Sequence, residues 1–358
     1  MKRLELHTYI HPLRHWYLAP VLAGLLASFM LWAIPSLSWA VAFNTGDIFA
    51  GVFDLGTPNG TVQHYDSAGN LLETLNTGLP GSSGVTTGMA FDANGNLYVT
   101  NFLDATITRF DANGNILPPN PFVTNDPGSF NESIAFDTAG NFYVGQALGT
   151  KEILKYDSNG TFLNRFTVAT ETRGSDWIDL AADQKTIFYT SEGRTIFRFD
   201  TATNTQLPNF ATLPGTGTAF ALRLLNDGGL LVADGIDIKR LDSTGTVIQT
   251  YDAPGEDQWF ALNLDPDGTS FWSGNSETAN FYKFDIASGN ILAVHNTGTG
   301  PNTLFGLAIF NEPTQAVPLP PPGGGNSGNT PVIPEPGTVF LLGTGLLGLG
   351  VCRWKRLF

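Results

Sequence analysis

A short phrase recurs six times in this chain of 358 residues, and its even spacing restricts the possible folds severely. Each copy contains a basic residue, an apolar residue and an aspartate. The aspartates are Asp66, Asp111, Asp157, Asp200, Asp242 and Asp285, so successive copies lie 45, 46, 43, 42 and 43 residues apart. A repeat of this length is one supersecondary unit, which buries its apolar face only by stacking on its neighbours.

A second element precedes each later copy of the phrase. It consists of an apolar strand, a turn rich in Gly and Asn, and another apolar strand, most clearly at residues 89–99 and 134–144. Gly and Asn adopt positive φ at little steric cost, so this pattern predicts a β-hairpin. Four short strands in roughly 43 residues are typical of one blade of a β-propeller.

The ends of the repeat region predict how the ring closes. Residues 80–300 contain five complete blades, while Ile48–Leu75 supplies only the outer three strands of another. Leu304–Phe310 can supply the missing inner strand, which leaves no inner edge exposed. We therefore predict an all-β fold, a six-bladed β-propeller at residues 44–310 whose four-stranded closing blade combines N- and C-terminal strands. A β-sandwich is the alternative, but it gives no reason for six equal steps.

The repeated phrase resembles those of NHL-repeat and gluconolactonase-like propellers. Residues 92–99 show its form, which is an aspartate, two variable residues, Gly-Asn, an apolar residue and Tyr-Val. The resemblance spans about residues 44–310. It implies a fold and leaves function open, because such propellers include binding modules, lactonases and lyases.

The N-terminal 40 residues have the layout of a signal peptide. Lys2, Arg3 and Arg14 precede an apolar run from residue 16 to 34, and Ser38 and Ala40 provide small residues before a cleavage point. Cleavage after Ala42 is equally compatible with the pattern. An uncleaved membrane anchor is the rival interpretation, since the run approaches the roughly 20 residues that span a bilayer.

The C-terminal region divides into a linker and a tail. Residues 311–331 are rich in Pro and Gly, which is typical of a linker. Residues 332–358 then combine Pro334-Glu335-Pro336, an apolar Gly- and Leu-rich stretch at 339–351 predicted as a transmembrane helix, and a basic end at Arg353, Lys355 and Arg356. Basic residues remain on the cytoplasmic side, which predicts that the body lies outside.

This tail resembles the PEP-CTERM sorting signal of bacterial exosortase substrates. The resemblance implies that a membrane processing enzyme recognises Pro334, Glu335 and Pro336. It also implies that the export machinery carries the propeller across the membrane and that the tail anchors it there transiently. The propeller would then be displayed at the cell surface or released. An ordinary single-span tail anchor is the alternative.

Charge excludes one class of partner. Between residues 41 and 331 the chain has 12 basic and 30 acidic residues, and such an acidic body would be repelled by phosphate backbones, so no nucleic acid is expected. The single cysteine, Cys352, lies in the tail, so no disulfide can form within the chain. Each phrase also places one basic residue two positions before its aspartate, where it can reach carboxylates on neighbouring strands.

Ligand-binding residues are expected at the channel mouth where the inner strands begin. Alignment of the blades places Thr87, Glu132, Trp177, Phe220, Phe260 and Phe305 at equivalent positions there, with Trp259 adjacent. Aromatic faces stack on sugars and other flat apolar surfaces. Trp177, Phe220, Trp259, Phe260 and Phe305 are therefore the candidate ligand-binding residues, and inter-blade packing is the alternative role for them.

A metal site is a second hypothesis for the same mouth. Glu132, Asp176 and Asn263, together with Asp179, could converge on one Ca²⁺ or other divalent cation, as the resemblance to lactonase-like propellers implies. The sequence contains no nucleophile elbow, phosphate loop, zinc spacing or dinucleotide fingerprint, and no His lies near these positions. No catalytic residue and no cofactor are assigned.

The sequence thus predicts an exported, non-enzymatic binding or structural protein. Its partners would be the export machinery, an exosortase-like enzyme and an extracellular polysaccharide or protein. The alternative is a metal-dependent, lactonase-like hydrolase.

Overall fold

The computed structural model describes residues 41–53, 60–79, 84–125 and 129–313. The predicted signal peptide at 1–40, the linker beyond Pro313 and the predicted tail at 332–358 lie outside these residues. No helix in the described residues is long and apolar enough to cross a membrane.

Strands account for the regular structure of the described residues. In chain order they are β1 (Ile48–Val52), β2 (Thr61–Tyr65), β3 (Leu71–Asn76), β4 (Thr86–Phe91), β5 (Leu97–Asn101), β6 (Thr106–Phe110), β7 (Val123–Thr124), β8 (Phe130–Phe136), β9 (Phe142–Leu148), β10 (Ile153–Tyr156), β11 (Phe162–Phe166), β12 (Ile178–Leu180), β13 (Thr186–Tyr189), β14 (Thr195–Asp200), β15 (Thr205–Gln206), β16 (Ala211–Thr212), β17 (Leu222–Leu224), β18 (Leu230–Ala233), β19 (Ile238–Leu241), β20 (Val247–Tyr251), β21 (Trp259–Leu264), β22 (Ser270–Asn275), β23 (Asn280–Asp285), β24 (Ile291–Asn296) and β25 (Leu304–Ile309).

The strands form six antiparallel sheets, which confirms the predicted number of blades. Five sheets follow chain order: β4 to β7, β8 to β11, β12 to β15 with β16 also pairing β14, β17 to β20, and β21 to β24. The sixth has the order β25-β1-β2-β3, in which Ile48 pairs with Ile309 and Gly51 with Gly306. The predicted sharing of one blade by both ends of the body is therefore confirmed.

The inner strands form a closed circuit around the channel. Contacts run from β25 to β4, then to β8, β12, β17 and β21, and back to β25. All six strands run in the same direction from one end of the channel to the other. We call the end at which they begin the start mouth, and the opposite end the end mouth.

Large apolar side chains fill the spaces within and between the blades. Phe271 and Phe284, both 0% exposed, stack with their ring centroids 5.3 Å apart, and Tyr251 meets Phe271 edge-on at 4.9 Å. Complete burial of one such ring contributes about 1.5–3 kcal/mol. Aromatic contacts therefore stabilise both this blade and its junction with the preceding one.

Four of the six basic residues in the repeated phrase pair with carboxylates, but these carboxylates lie in the turns and segments that border neighbouring strands and not on the strands themselves, where they were expected. The pairs are His64 with Asp47 at 2.9 Å, Lys155 with Asp137 at 3.4 Å, Arg240 with Asp227 at 2.9 Å, and Lys283 with Asp265 at 2.7 Å. Arg109 instead lies 3.5 Å above the ring of Phe122. Pairs that are partly exposed contribute little individually, about 1 kcal/mol or less.

Candidate functional site

Each blade has a β-bulge, or an equivalent irregularity just before the inner strand, at the level four residues before the last residue of that strand. The register shifts in β4, β8, β21 and β25 at this level. In the other two blades one residue also opposes two: Thr190 bonds both Asp176 and Trp177, and Ala233 bonds both Phe220 and Ala221. A bulge leaves one residue unpaired and redirects its side chain, which makes this level suited to a site.

Adjacent blades satisfy backbone groups that the bulges release from the ladder. Thr190 Oγ1 donates to the carbonyl of Phe220 at 2.7 Å, and Ser133 Oγ donates to the carbonyl of Asp176 at 2.8 Å. The backbone N–H of Ala221 donates to the carbonyl of Phe260 at 3.1 Å. Because buried backbone groups need partners, these bonds fix each bulge to the next blade.

Three of the five candidate ligand residues lie together at the start mouth. Phe260 stands between Phe220 and Phe305, with ring centroids at 4.8 Å and 5.6 Å respectively. All three rings are partly exposed, although their neighbours on the inner strands are buried. They come from three successive blades, and we call them the aromatic floor.

Trp177 lies deeper in the channel than the alignment predicts. The residue equivalent to the three phenylalanines is Asp176, because the bulge in that blade shifts the alignment by one position. The Trp177 ring is 1% exposed, meets Phe260 edge-on at 6.3 Å, and has the guanidinium of Arg223 5.8 Å from its centroid. It therefore occupies the space between the two mouths.

Trp259 packs within its own blade and does not contribute to the aromatic floor. It is 0% exposed and meets Tyr282 and Phe284 edge-on at 5.3 Å and 5.6 Å. Its indole N–H donates to Asp252 at 3.1 Å. Trp259 therefore has the packing role that was predicted from the sequence as the alternative to ligand binding.

Glu132 and Asp176 form a buried acidic pair on adjacent blades at the bulge level. Their exposures are 3% and 0%, and among the described residues neither oxygen of Asp176 nor Oε1 of Glu132 has a hydrogen-bond partner. Burial, followed by repulsion from Asp176, raises the pKa of Glu132 well above its usual range. Burial and repulsion from Glu192 do the same for the pKa of Asp176.

Asn263 is not brought to this pair. It is the second-last residue of its inner strand, three positions nearer the end mouth, where its amide nitrogen donates to Glu312 at 2.7 Å. Asp179 occupies the equivalent position in β12 and accepts the backbone N–H of Leu224 at 2.8 Å. Within the described ranges no group of three or more His, Cys, Asp or Glu side chains could hold a metal ion.

The aromatic floor is flanked by polar residues that sequence reasoning did not single out. Arg194 forms a two-fold ion pair with Asp234 at 2.8 Å and 3.1 Å, and Lys239 contacts the same carboxylate at 2.7 Å. Arg194 lies between β13 and β14, Asp234 follows β18, and Lys239 lies in β19, so two adjacent blades contribute these residues. One more aromatic pair, Phe102 and Phe130 at 5.0 Å, lies on this face.

Comparison with a protein-family model identifies the tail. Residues 332–356 match the PEP-CTERM protein-sorting motif. This motif is recognised by exosortase, and it marks the chain as an exported protein that is sorted through a transient membrane-anchored state. A search of curated proteins finds no match.

Solved structures with similar coordinates confirm the fold. A nidogen/laminin complex has a TM-score of 0.59 at 14% identity, over 74% of this chain and 99% of that one. The WD40 β-propeller domain of Doa1 has 0.55 at 14% identity, over 76% and 90%. The β-propeller domain of Cps50 (Swd1) from Myceliophteria thermophila has 0.51 at 12% identity, over 74% and 88%. At such identities the similarity establishes the fold alone.

Proposed function

We propose that this exported propeller is a non-enzymatic binding module of the cell surface or extracellular matrix, and that its ligand is an extracellular polymer. The observation that carries the proposal is the aromatic floor, defined above as Phe220, Phe260 and Phe305. Partly exposed rings from three blades meet there, beside the ion pairs of Arg194 and Lys239 with Asp234. A combination of ring faces and charged or polar groups is suited to a polysaccharide, whose sugar rings have apolar faces and hydroxyl edges.

The central ring of the floor provides the test. Phe260→Ala should weaken retention on matrix polymer isolated from the native host by about tenfold or more, since truncating a central aromatic contact typically costs about 2 kcal/mol or more. Co-sedimentation of the purified full chain with that polymer measures the effect. Circular dichroism should show that the variant remains folded.

Phe162→Ala is the matched control, because Phe162 is 45% exposed but lies on the outer strand of another blade. It should bind as the wild type does. Unchanged retention of a folded Phe260→Ala protein would exclude the floor as the ligand site.

The buried pair supports a second candidate function. Two buried carboxyl groups, three of whose four oxygens lack a hydrogen-bond partner among the described residues, are costly as anions, and a divalent cation would remove that cost. Glu132 and Asp176 would then hold one Ca²⁺, and a metal-dependent hydrolase of the lactonase type is the activity that would use it.

We expect the pair to make stability depend on pH. The pKa of both groups is raised in the folded state above the ordinary 4.5 of Glu and 3.8 of Asp, so the folded state binds more protons than the unfolded chain. The free energy of unfolding should therefore fall as pH rises above about 4 in the presence of EDTA.

Calcium discriminates between the two candidates. If the pair holds Ca²⁺, added Ca²⁺ should raise the melting temperature at pH 7.5, and Glu132→Gln should abolish that increase. If Ca²⁺ has no effect and Glu132→Gln alone raises the melting temperature, the pair is a protonated structural element and the hydrolase candidate fails.

A further inference from the structure

The end mouth contains a cavity that is separate from the aromatic floor. Its volume is about 460 Å³, and its lining includes the last residues of several inner strands and the segment Asn311–Pro313 that follows β25. Trp177, which is 1% exposed, lies between this cavity and the floor, since its ring contacts Phe260 of the floor and Arg223 of the cavity lining. The two mouths can therefore bind different ligands.

The second-last residue of each inner strand faces this end of the channel. Three successive blades contribute Asp179, Arg223 and Asn263, and the remaining three contribute alanines. We call Ala90, Ala135 and Ala308 the alanine wall, and all three line the cavity. The ring formed by these six second-last residues is thus polar on one side, and on the other side it is apolar with small side chains.

The basic group of this ring is already bound. Arg223 Nε donates to Oε1 of Glu312 at 3.0 Å, and its Nη1 donates to the carbonyl of Leu222 at 2.9 Å. Glu312 also accepts the backbone N–H of Leu264 at 2.6 Å. The cavity lining contains four acidic residues, Asp92, Asp137, Asp179 and Glu312, and one basic residue, Arg223. Lys155 pairs with Asp137 from outside the lining at 3.4 Å, so an excess of two negative charges remains.

One acceptor of the ring, the carboxylate of Asp179, is partly exposed and lines the cavity. It accepts backbone N–H groups from Leu180 at 2.9 Å and Leu224 at 2.8 Å. Asn263 is 0% exposed and does not line the cavity, and its amide nitrogen donates to Glu312 at 2.7 Å. Each carboxylate oxygen can accept more than one hydrogen bond, so Asp179 can accept another donor from the cavity.

We propose that the end mouth is a second binding site, for a small organic cation of the primary-amine class. Its ammonium group donates to Asp179, and its apolar body lies against the alanine wall. An ammonium group has three donors and one positive charge, which match the carboxylate and the charge excess. The small alanine side chains leave the space that the apolar body fills.

Asp179 makes this binding depend on pH. Burial raises the pKa of its carboxyl group to about 6, although the nearby Arg223 guanidinium and the N–H of Leu224 favour the anion; Glu312 raises the pKa further. Affinity for an amine should therefore be about tenfold lower at pH 5 than at pH 7.5, because most of the carboxyl groups are protonated at pH 5.

The test is calorimetric titration of the full chain, in a non-ionic detergent, with 2-phenylethylamine and with phenylacetate as an anion of similar size. The amine should bind at pH 7.5, and phenylacetate should not. Asp179→Asn should weaken amine binding at least tenfold, and Ala135→Leu should abolish it without a change of charge, by filling the cavity. Asp227→Asn, an equal charge change at a side chain that is 51% exposed in the turn between β17 and β18 and does not line the cavity, should have no effect.

Each opposite outcome overturns the proposal. Binding of phenylacetate in preference to the amine would mean that Arg223 recognises an anion after displacement of Glu312. No amine binding at pH 7.5, or binding that Ala135→Leu leaves intact, would exclude the cavity as a cation site. None of these results depends on the aromatic floor, so the proposed polymer binding stands or fails separately.

Discussion

Replacement of Gly306 by alanine should lower the free energy of unfolding by about 4 kcal/mol or more, because the methyl group has no room in the closed ring. A Cβ at this position would lie 1.9 Å from the carbonyl oxygen of Thr87 and 2.8 Å from its carbonyl carbon. Both are backbone atoms of the adjacent inner strand β4, so no side chain can rotate away. Chemical unfolding followed by tryptophan fluorescence measures the change.

Gly268→Ala is the control for this experiment. Gly268 has φ +69°, but a Cβ added there would meet no other heavy atom within 4 Å, so only the backbone strain of about 1 kcal/mol applies. Equal losses for the two variants would show that β25 does not pack tightly against β4. The ring would then be closed less firmly than the structure indicates.

Replacement of Glu335 by alanine should leave the C-terminal tail on nearly all of the protein. Residues 332–356 match the sorting motif that exosortase recognises, and Glu335 is the acidic residue of its Pro-Glu-Pro element. Two prolines restrict the backbone on either side of it, which limits the conformations in which the carboxylate is presented. Intact mass and membrane fractionation of the protein from its native host measure the outcome.

Two further variants test which feature of the motif the processing enzyme recognises. Glu335→Gln retains the shape and removes the charge, and it should fail as Glu335→Ala does if the carboxylate is recognised. Thr330→Ala, in the predicted linker before the motif, should be processed normally. Wild-type mass for Glu335→Ala would show that Glu335 is dispensable.

Most of the architecture could be predicted because each repeat gives the same local pattern, so the evidence for one blade supports the assignment of the others. The six Asp-centred phrases indicated the number of blades, and the unpaired strand at 304–310 predicted the closure that the pairing of Ile48 with Ile309 confirms. Each prediction required only alternation within a strand and a count of strands per unit. Such information is contained in short stretches of sequence.

The arrangement of the channel could be predicted only in part. The bulge beside Asp176 shifts Trp177 inward by one position, and an alignment of apolar residues does not reveal a change in hydrogen-bond register. The contacts of Glu312 with Arg223 and Asn263 join three separate segments of the chain. Nothing local marks such a cluster, because it exists only after the ring has closed.

The shared blade also has a consequence for the order of events in biogenesis. The strand β25 precedes Asn311–Pro313 and is the last strand of the described chain, yet it pairs with β1 near the start. Export delivers the N-terminal part first, so β1 must wait on the far side of the membrane, without its partner, until nearly the whole body has crossed. Contacts between such distant segments form slowly. Maturation of this protein should therefore be timed by the arrival of one late strand, and a chaperone that shields β1 during that interval would increase the yield.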